Sequence, residues 1–193
     1  MTPRLRLAEA ATSLAPLQQG DLDRLCGLYA IINAIRLALY PQHKLSRRQL
    51  RILFDEGIAF LSRTRSLKAA ASSGMYEAQW SKLCQHLLFM AGNLAGVELH
   101  MMRYPARSLS STTVALKALK HHLKHGRPVL LALEGRLNHW TVVVRFSDKR
   151  LSLFDSDGHR WILNSSLSVR ACDHEKAYRV FARGIVALRP EDR

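Results

Sequence analysis

Cysteine is scarce in this chain, with three in 193 residues: Cys26, Cys84 and Cys172. No two form a CxxC pair, and the odd count leaves at least one thiol free. A fully disulfide-stapled scaffold is excluded, and a reducing compartment fits best. No apolar run reaches membrane-spanning length before Arg, Lys, His or Asn interrupts it, so no membrane span is expected. Internal repeats are absent. The opening stretch Met1 to Ala10 has basic and small residues, but Glu9 breaks it and no continuous apolar core follows, which argues against a secretory signal peptide. The expected location is the cytoplasm, or a host or target cell reached by signal-independent secretion.

Acidic residues are also few, 15 Asp and Glu against 29 Lys and Arg, for a formal charge of +14. Such a field attracts anionic partners, an acidic protein among them. No nucleic-acid motif and no basic stripe interleaved with aromatics accompanies it, so nucleic acid is not the favoured partner. What the chain has in quantity is apolar: 48% of its residues are hydrophobic, enough for one sizeable core. Residues 1–16 read as an irregular or loosely helical, flexible arm ending at Pro16, and 17–190 as one domain.

Apolar spacing predicts a helix from about Cys26 to Tyr40, stopped by Pro41. Ser46 is placed to cap a second helix with Leu50, Leu53, Phe54, Ile58 and Leu61 on its apolar face. Arg63 to Gly74 reads as a loop. A third helix from about Tyr76 to Met90 turns Trp80, Leu83, Leu87 and Leu88 inward, with Cys84 on the same stripe. Val97 to Tyr104 alternates as a strand, and Thr112 or Thr113 starts a basic helix to about His125. Within it, His121 and His125 share a face, but no third ligand accompanies them. Cations at a helix C-terminus favourably oppose the dipole, so no metal and no cofactor is expected. From Gly126 the pattern turns to β: Pro128 to Glu134, His139 to Phe146, Leu151 to Asp155, Arg160 to Leu163 and Tyr178 to Leu188. Helices first and sheet second is an α+β order.

Cys26 falls in the first turn of its helix. There unpaired backbone N–H groups and the positive end of the macrodipole favour thiolate over thiol, although a core cysteine would sit equally well. A cysteine nucleophile needs a base, and that imidazole needs a group to orient it. His139 opens a buried strand, and Asp155 and Asp157 close its neighbour. A three-residue loop at Ser147-Asp148-Lys149 puts His139 opposite Asp157, with Asp155 diagonal on the same face. A two-residue turn at Asp148-Lys149 puts Asp155 on the other face unless a bulge restores the register. Both carboxylates are therefore candidates. Asn138 and Trp140 flank His139 and are candidates for lining the cleft. Asp21 and Asp23 shape or cap the loop before Cys26. The run Cys172-Asp173-His174-Glu175 is read as background, because neighbours on an extended segment point to opposite sides.

A Gln shortly before Cys26-Gly27 at the start of a long apolar helix, a distant His139-Trp140 opening a strand, and Asp155 on the next strand resemble the papain-like cysteine peptidase superfamily. Two branches are similar. The bacterial leader peptidases that cut after double-glycine motifs resemble it at Gly126-Arg127-Pro128-Val129-Leu130, His139 and Asp155. The Josephin deubiquitinases resemble it at Cys26 to Asn33 and at His139-Trp140-Thr141. The resemblance implies a papain-like fold, its helical half carrying the nucleophile helix against a C-terminal antiparallel sheet. It also implies Cys26 as nucleophile, His139 as base and then acid, Asp155 rather than Asp157 as orienter, and an oxyanion hole of Gln19 and the Cys26 N–H. The gap from Gln19 to Cys26 is one residue longer than the family's usual spacing, so either Gly20 to Leu25 bulges or Gln18 serves instead.

Three functions are compatible with these readings. The first is a thiol hydrolase that cleaves a peptide or isopeptide bond through an acyl-enzyme, acting on an acidic protein or a small-residue tail. The second uses the same triad for glutamine deamidation or transglutamination of a host or target protein, as an effector or toxin would. The third is a catalytically inactive basic binding module.

Overall fold

Helix α2 (Cys26–Leu39) has Ala, Ile and Leu on nearly every side, and eleven of its fourteen residues are buried. A helix without a polar face belongs at the centre of a fold, and α2 packs against strands as well as other helices. The structure, a computed structural model, describes residues 2–105, 108–169 and 176–192. Around α2 stand α1 (Pro3–Ser13), α3 (Arg47–Arg63), α4 (Leu67–Ser73), α5 (Glu77–Ala95) and α6 (Thr112–Lys124). Ser46 caps α3 through a reciprocal box: its Oγ accepts the Gln49 N–H at 3.3 Å, and Gln49 Oε1 accepts the Ser46 N–H at 2.8 Å. The Gln49 amide then donates to the Leu94 carbonyl at 3.2 Å, tying α3 to α5.

The strands are β1 (Val97–Arg103), β2 (Val129–Gly135), β3 (His139–Phe146), β4 (Arg150–Phe154), β5 (Trp161–Leu163), β6 (Leu167–Ser168) and β7 (Tyr178–Asp192). They form one sheet in the order β1-β7-β2-β3-β4-β5, antiparallel throughout, with β6 added parallel to β7. In β2 and β3 the first five and six residues are buried without alternation. Both faces of the sheet are therefore covered there, and α2 and α6 both pack on these strands.

The sheet is irregular at two places among the described residues, and both bear on where His139 sits. The β3–β4 hairpin closes on a two-residue turn at Asp148-Lys149, with the Ser147 N–H donating to the Arg150 carbonyl at 2.9 Å. Phe146 pairs with Leu151 and Arg145 with Ser152, but the register then slips at Val144, so that Val143 faces Leu153 and Val142 faces Phe154. Continued by one residue, this register sets Thr141 opposite Asp155 and leaves His139 on the same face. A bulge thus restores the pairing that the tight turn alone would have lost. The second slip lies between β2 and β7, where Leu131 pairs with Ile185 but Leu133, the partner of His139 in β3, pairs with Val180.

The helix-then-sheet order and the packing of the Cys26 helix against an antiparallel sheet are as expected. Three local expectations are refined. Residues 3–13, expected as an irregular or loosely helical arm, form a regular helix: Pro3 stands at its first turn, and Leu7 and Ala10, one turn apart, are buried against the rest of the fold. Arg145 Nη2 also donates to the Ala8 carbonyl at 2.8 Å and to Thr12 Oγ1 at 2.9 Å. The stretch 63–74 contains α4, whose single buried residue, Ala70, is too little to give an apolar period. The helix expected from Tyr76 to Met90 runs on to Ala95 and ends at left-handed Gly96. The Cys172-Asp173-His174-Glu175 run lies outside the described residues.

Candidate active site

Cys26 is the first residue of α2, where backbone N–H groups have no helical acceptor. The residue is only 6% exposed, and its Sγ lies 3.9 Å from the Arg24 carbonyl oxygen. What fixes the thiol against the sheet is an indole pair. Trp80 of α5 and Trp140 of β3 stack with ring centroids 3.8 Å apart and planes 9° from parallel. Trp80 Nε1 donates to the Gly27 carbonyl at 3.1 Å, and Trp140 Nε1 to the Met75 carbonyl at 3.4 Å. Gly27 permits this approach, since a Cβ there would stand 2.7 Å from Met75 Cε and 2.8 Å from Trp80 Cδ1. Helices α2 and α5 and strand β3 thus meet one residue away from both Cys26 and His139.

His139 and Asp155 are buried together, with side chains 7% and 0% exposed, and His139 Nε2 lies 2.7 Å from Asp155 Oδ2. Asp155 Oδ1 accepts the N–H of Asp157 at 2.9 Å and of His159 at 3.2 Å, so each carboxylate oxygen is occupied. With Nε2 bonded to Asp155, Nδ1 is the ring nitrogen available to a second partner, and Cys26 lies near enough to act on the charge of this imidazole. Burial alone would strip the proton from His139. The hydrogen bond to Asp155, the negative charge of that carboxylate and the nearby Cys26 outweigh that, pushing its pKa up to about 10. For Asp155, burial works against the ionised form, but the bond to His139, its charge and the Asp157 N–H hold the carboxyl below its usual range. Cys84 is the contrast: fully buried in α5, its thiol is pushed by burial up to about 12, with only the charge of Arg103 opposing.

Of the other residues singled out from sequence, Asp157 does not touch His139; its Oδ2 is 3.6 Å from His159 Nε2, and the His159 ring meets His139 edge-on at 5.6 Å. Gln18 Nε2 donates to the Asp155 carbonyl at 3.2 Å and the Pro16 carbonyl at 3.4 Å, so its amide is engaged. Gln19 is held by its backbone, whose N–H donates to the Ser156 carbonyl at 3.0 Å, while its side-chain Oε1 is buried with no hydrogen-bond partner. Asn138 and Trp140 line a cavity of about 320 Å³ that opens onto Cys26 and His139. Among the described residues no three His, Cys, Asp or Glu side chains gather as a metal site. His121 and His125 do share a face, with ring centroids 4.4 Å apart, and His125 Nδ1 is 2.8 Å from the His121 carbonyl.

Sequence reasoning missed part of the cavity wall: Met75, Tyr76, Glu77, Glu134 and Phe181. Tyr76, 84% exposed, sits just beyond a Gly74 of positive φ, and that glycine after a run of small residues was the readable signal. Phe181 lies in the β7 segment that slips against β2, a displacement no local pattern announces.

No family model matches this chain, and no curated protein matches it by sequence. Among solved structures, a double glycine motif protease from an AMS/PCAT transporter, in complex with the leader peptide, is similar over 93% of this chain and 91% of that chain. The identity is 15% and the TM-score 0.45. Nothing in these comparisons supports the Josephin resemblance.

Proposed function

We propose that this chain is a papain-like thiol hydrolase that cleaves a peptide or isopeptide bond through an acyl-enzyme on Cys26. The observation that carries this reading is the buried His139–Asp155 pair, 2.7 Å apart, in a cavity shared with Cys26 at the first turn of α2. In this reading the Cys26 thiolate attacks the scissile carbonyl, and the oxyanion is met by the Gln19 amide and the Cys26 N–H. His139, protonated at rest, gives its proton to the leaving amine as the C–N bond breaks and a thioester forms. It then accepts a proton from the water that attacks the thioester, and the carboxylic product leaves with Cys26 restored. Asp155 keeps the ring oriented and its charge compensated throughout.

The test is site-resolved alkylation followed by turnover. Iodoacetamide is expected to label Cys26 much faster than Cys84, with His139→Ala slowing Cys26 and leaving the fold intact by circular dichroism. Incubation with peptide libraries should release fragments in the native chain and none in Cys26→Ala. Equal labelling of Cys26 and Cys84 would defeat the proposal, and deamidated glutamine in place of fragments would assign the triad to the other acyl transfer.

A further inference from the structure

The loop between the proposed oxyanion donors, Gly20 to Leu25, is closed on itself by one carboxylate. Asp23 Oδ2 accepts the Gly20 N–H at 2.9 Å, and Asp23 Oδ1 accepts the Leu25 N–H at 3.0 Å. Each bonded residue adjoins a proposed donor: Gly20 follows Gln19, and Leu25 precedes Cys26. Besides Asp23, the span is anchored at the Arg24 N–H and at its Leu25 end, whose carbonyl accepts the Leu28 N–H at 2.8 Å and the Tyr29 N–H at 3.1 Å as α2 begins. Upstream, Asn33 of α2 exchanges two hydrogen bonds with the Leu17 backbone, at 2.8 and 3.1 Å. The Gln19 N–H meets the Ser156 carbonyl at 3.0 Å, and the Arg24 N–H meets the Ala71 carbonyl at 2.9 Å. At the tip, Leu22 is 99% exposed and packs on nothing.

From this geometry we infer that Asp23 is a positioning residue for oxyanion stabilisation: its carboxylate sets the separation between the Gln19 side chain and the Cys26 N–H. The inference rests on the acyl-transfer reading above. A carboxylate is suited to the task because it offers two acceptor oxygens on one rigid plane, and both bonds are charge-assisted. It also accounts for the extra residue in this loop. Six residues between Gln19 and Cys26 could take many paths, and the Asp23 brace restricts them by fixing Gly20 and Leu25 to one side chain. Oxyanion donors act only when already in place, and a displacement of about 1 Å can cost on the order of 100-fold in rate.

A merely structural brace and an oxyanion-positioning brace are told apart by two probes of the same thiol. Alkylation of Cys26 by iodoacetamide is a displacement at a saturated carbon and forms no oxyanion. Acylation by p-nitrophenyl acetate proceeds through a tetrahedral oxyanion, the sulfur bonding to the acetyl carbon as p-nitrophenolate leaves. In Asp23→Ala, the acylation rate is expected to fall about 10- to 100-fold, with the alkylation rate at Cys26 within about twofold of the native chain. Asp23→Asn, which keeps one acceptor oxygen, should fall between the two, and it carries the test should Asp23→Ala not fold. Unchanged acylation, or acylation and alkylation lowered in equal proportion, overturns the assignment of Asp23. A native chain that alkylates quickly at Cys26 but is not acylated overturns the acyl-transfer reading itself, and this inference with it.

Discussion

The proton on His139 decides what the site can do. Its ring is buried, yet Asp155 and Cys26 raise its pKa to about 10, which in the proposed mechanism would leave a general acid already loaded at neutral pH. In the proposed mechanism, kcat/KM is then expected to fall as pH rises through about 10, where the imidazolium can no longer protonate the leaving amine. Replacing Asp155 by Asn keeps a polar group of the same shape but removes the charge that raises His139. The alkaline limb should move down by at least about one pH unit, and activity at pH 7 should drop roughly 10-fold or more. Rate profiles from about pH 6 to about pH 11 on the native chain and the variant read this directly. An alkaline limb that stays in place would show that Asp155 does not control the ring. Gln18 belongs to the same set at one remove, because its amide donates to the Asp155 backbone carbonyl and so helps seat the turn that carries the carboxylate.

Among the elements, α2 and β3 are held in register by the two stacked indoles, and the smallest side chain in that contact is Gly27. Gly27→Ala forces Met75 and Trp80 to move. The flexible Met75 can yield, but Trp80 is fixed by its stack and by its bond to the Gly27 carbonyl. A loss of about 1–3 kcal/mol in urea denaturation is expected. Because the displaced pair includes Trp140, next to His139, kcat/KM should fall about 10-fold or more even where the chain is fully folded. An active, destabilised variant would mean that the stack supports the fold without aligning the site. How much of the fold was legible in the sequence depends on the length of each signal. The long apolar stripe of α2, the Ser46 cap and the unbroken apolar runs of β2 and β3 each spread over many residues, and each element formed where expected. Helix α4 and strand β6 bury too few residues to mark themselves. The His139–Asp155 contact was readable only as a choice between two registers, because the Val144 bulge that settles it has no sequence signature of its own. The indole stack was illegible for a different reason: it joins Trp80 and Trp140 through tertiary approach, of which spacing along the chain says nothing, whereas the Asp23 brace is local and falls on a residue the sequence already marks as shaping the loop before Cys26.

At the scale of the whole molecule, two buried histidines pull the pH dependence of stability in opposite directions. His139 has a pKa raised in the folded chain, so its contribution is fully present below the unfolded value near 6.5 and is lost as pH rises toward about 10. His122, on α6, is the reverse. It is 3% exposed, its Nδ1 has no hydrogen-bond partner, and the Tyr104 ring lies 5.3 Å from its own. Burial, with the charges of Arg127, His121 and His125, lowers its pKa to about 4. The unfolded chain therefore takes up this proton first, and stability is lost as pH falls from about 6.5 to 4, by on the order of 3 kcal/mol. The Asp155 carboxyl, held below its usual range, adds a further loss only at still lower pH. The net charge of +14 works on top of both, since repulsion among 29 Lys and Arg grows as carboxylates are protonated and eases toward the sequence pI of 10.4. Acid should thus be the harsher side for the native chain. His122→Phe, which keeps a ring against Tyr104 and removes the titration, is expected to raise the urea midpoint at about pH 4.5 far more than at about pH 7.5. His139→Ala should instead lower it most below about pH 6.5, with the difference shrinking toward about pH 10. A His122→Phe midpoint shifted equally at both pH values would assign its effect to packing and leave the acid sensitivity to the charge of the chain as a whole.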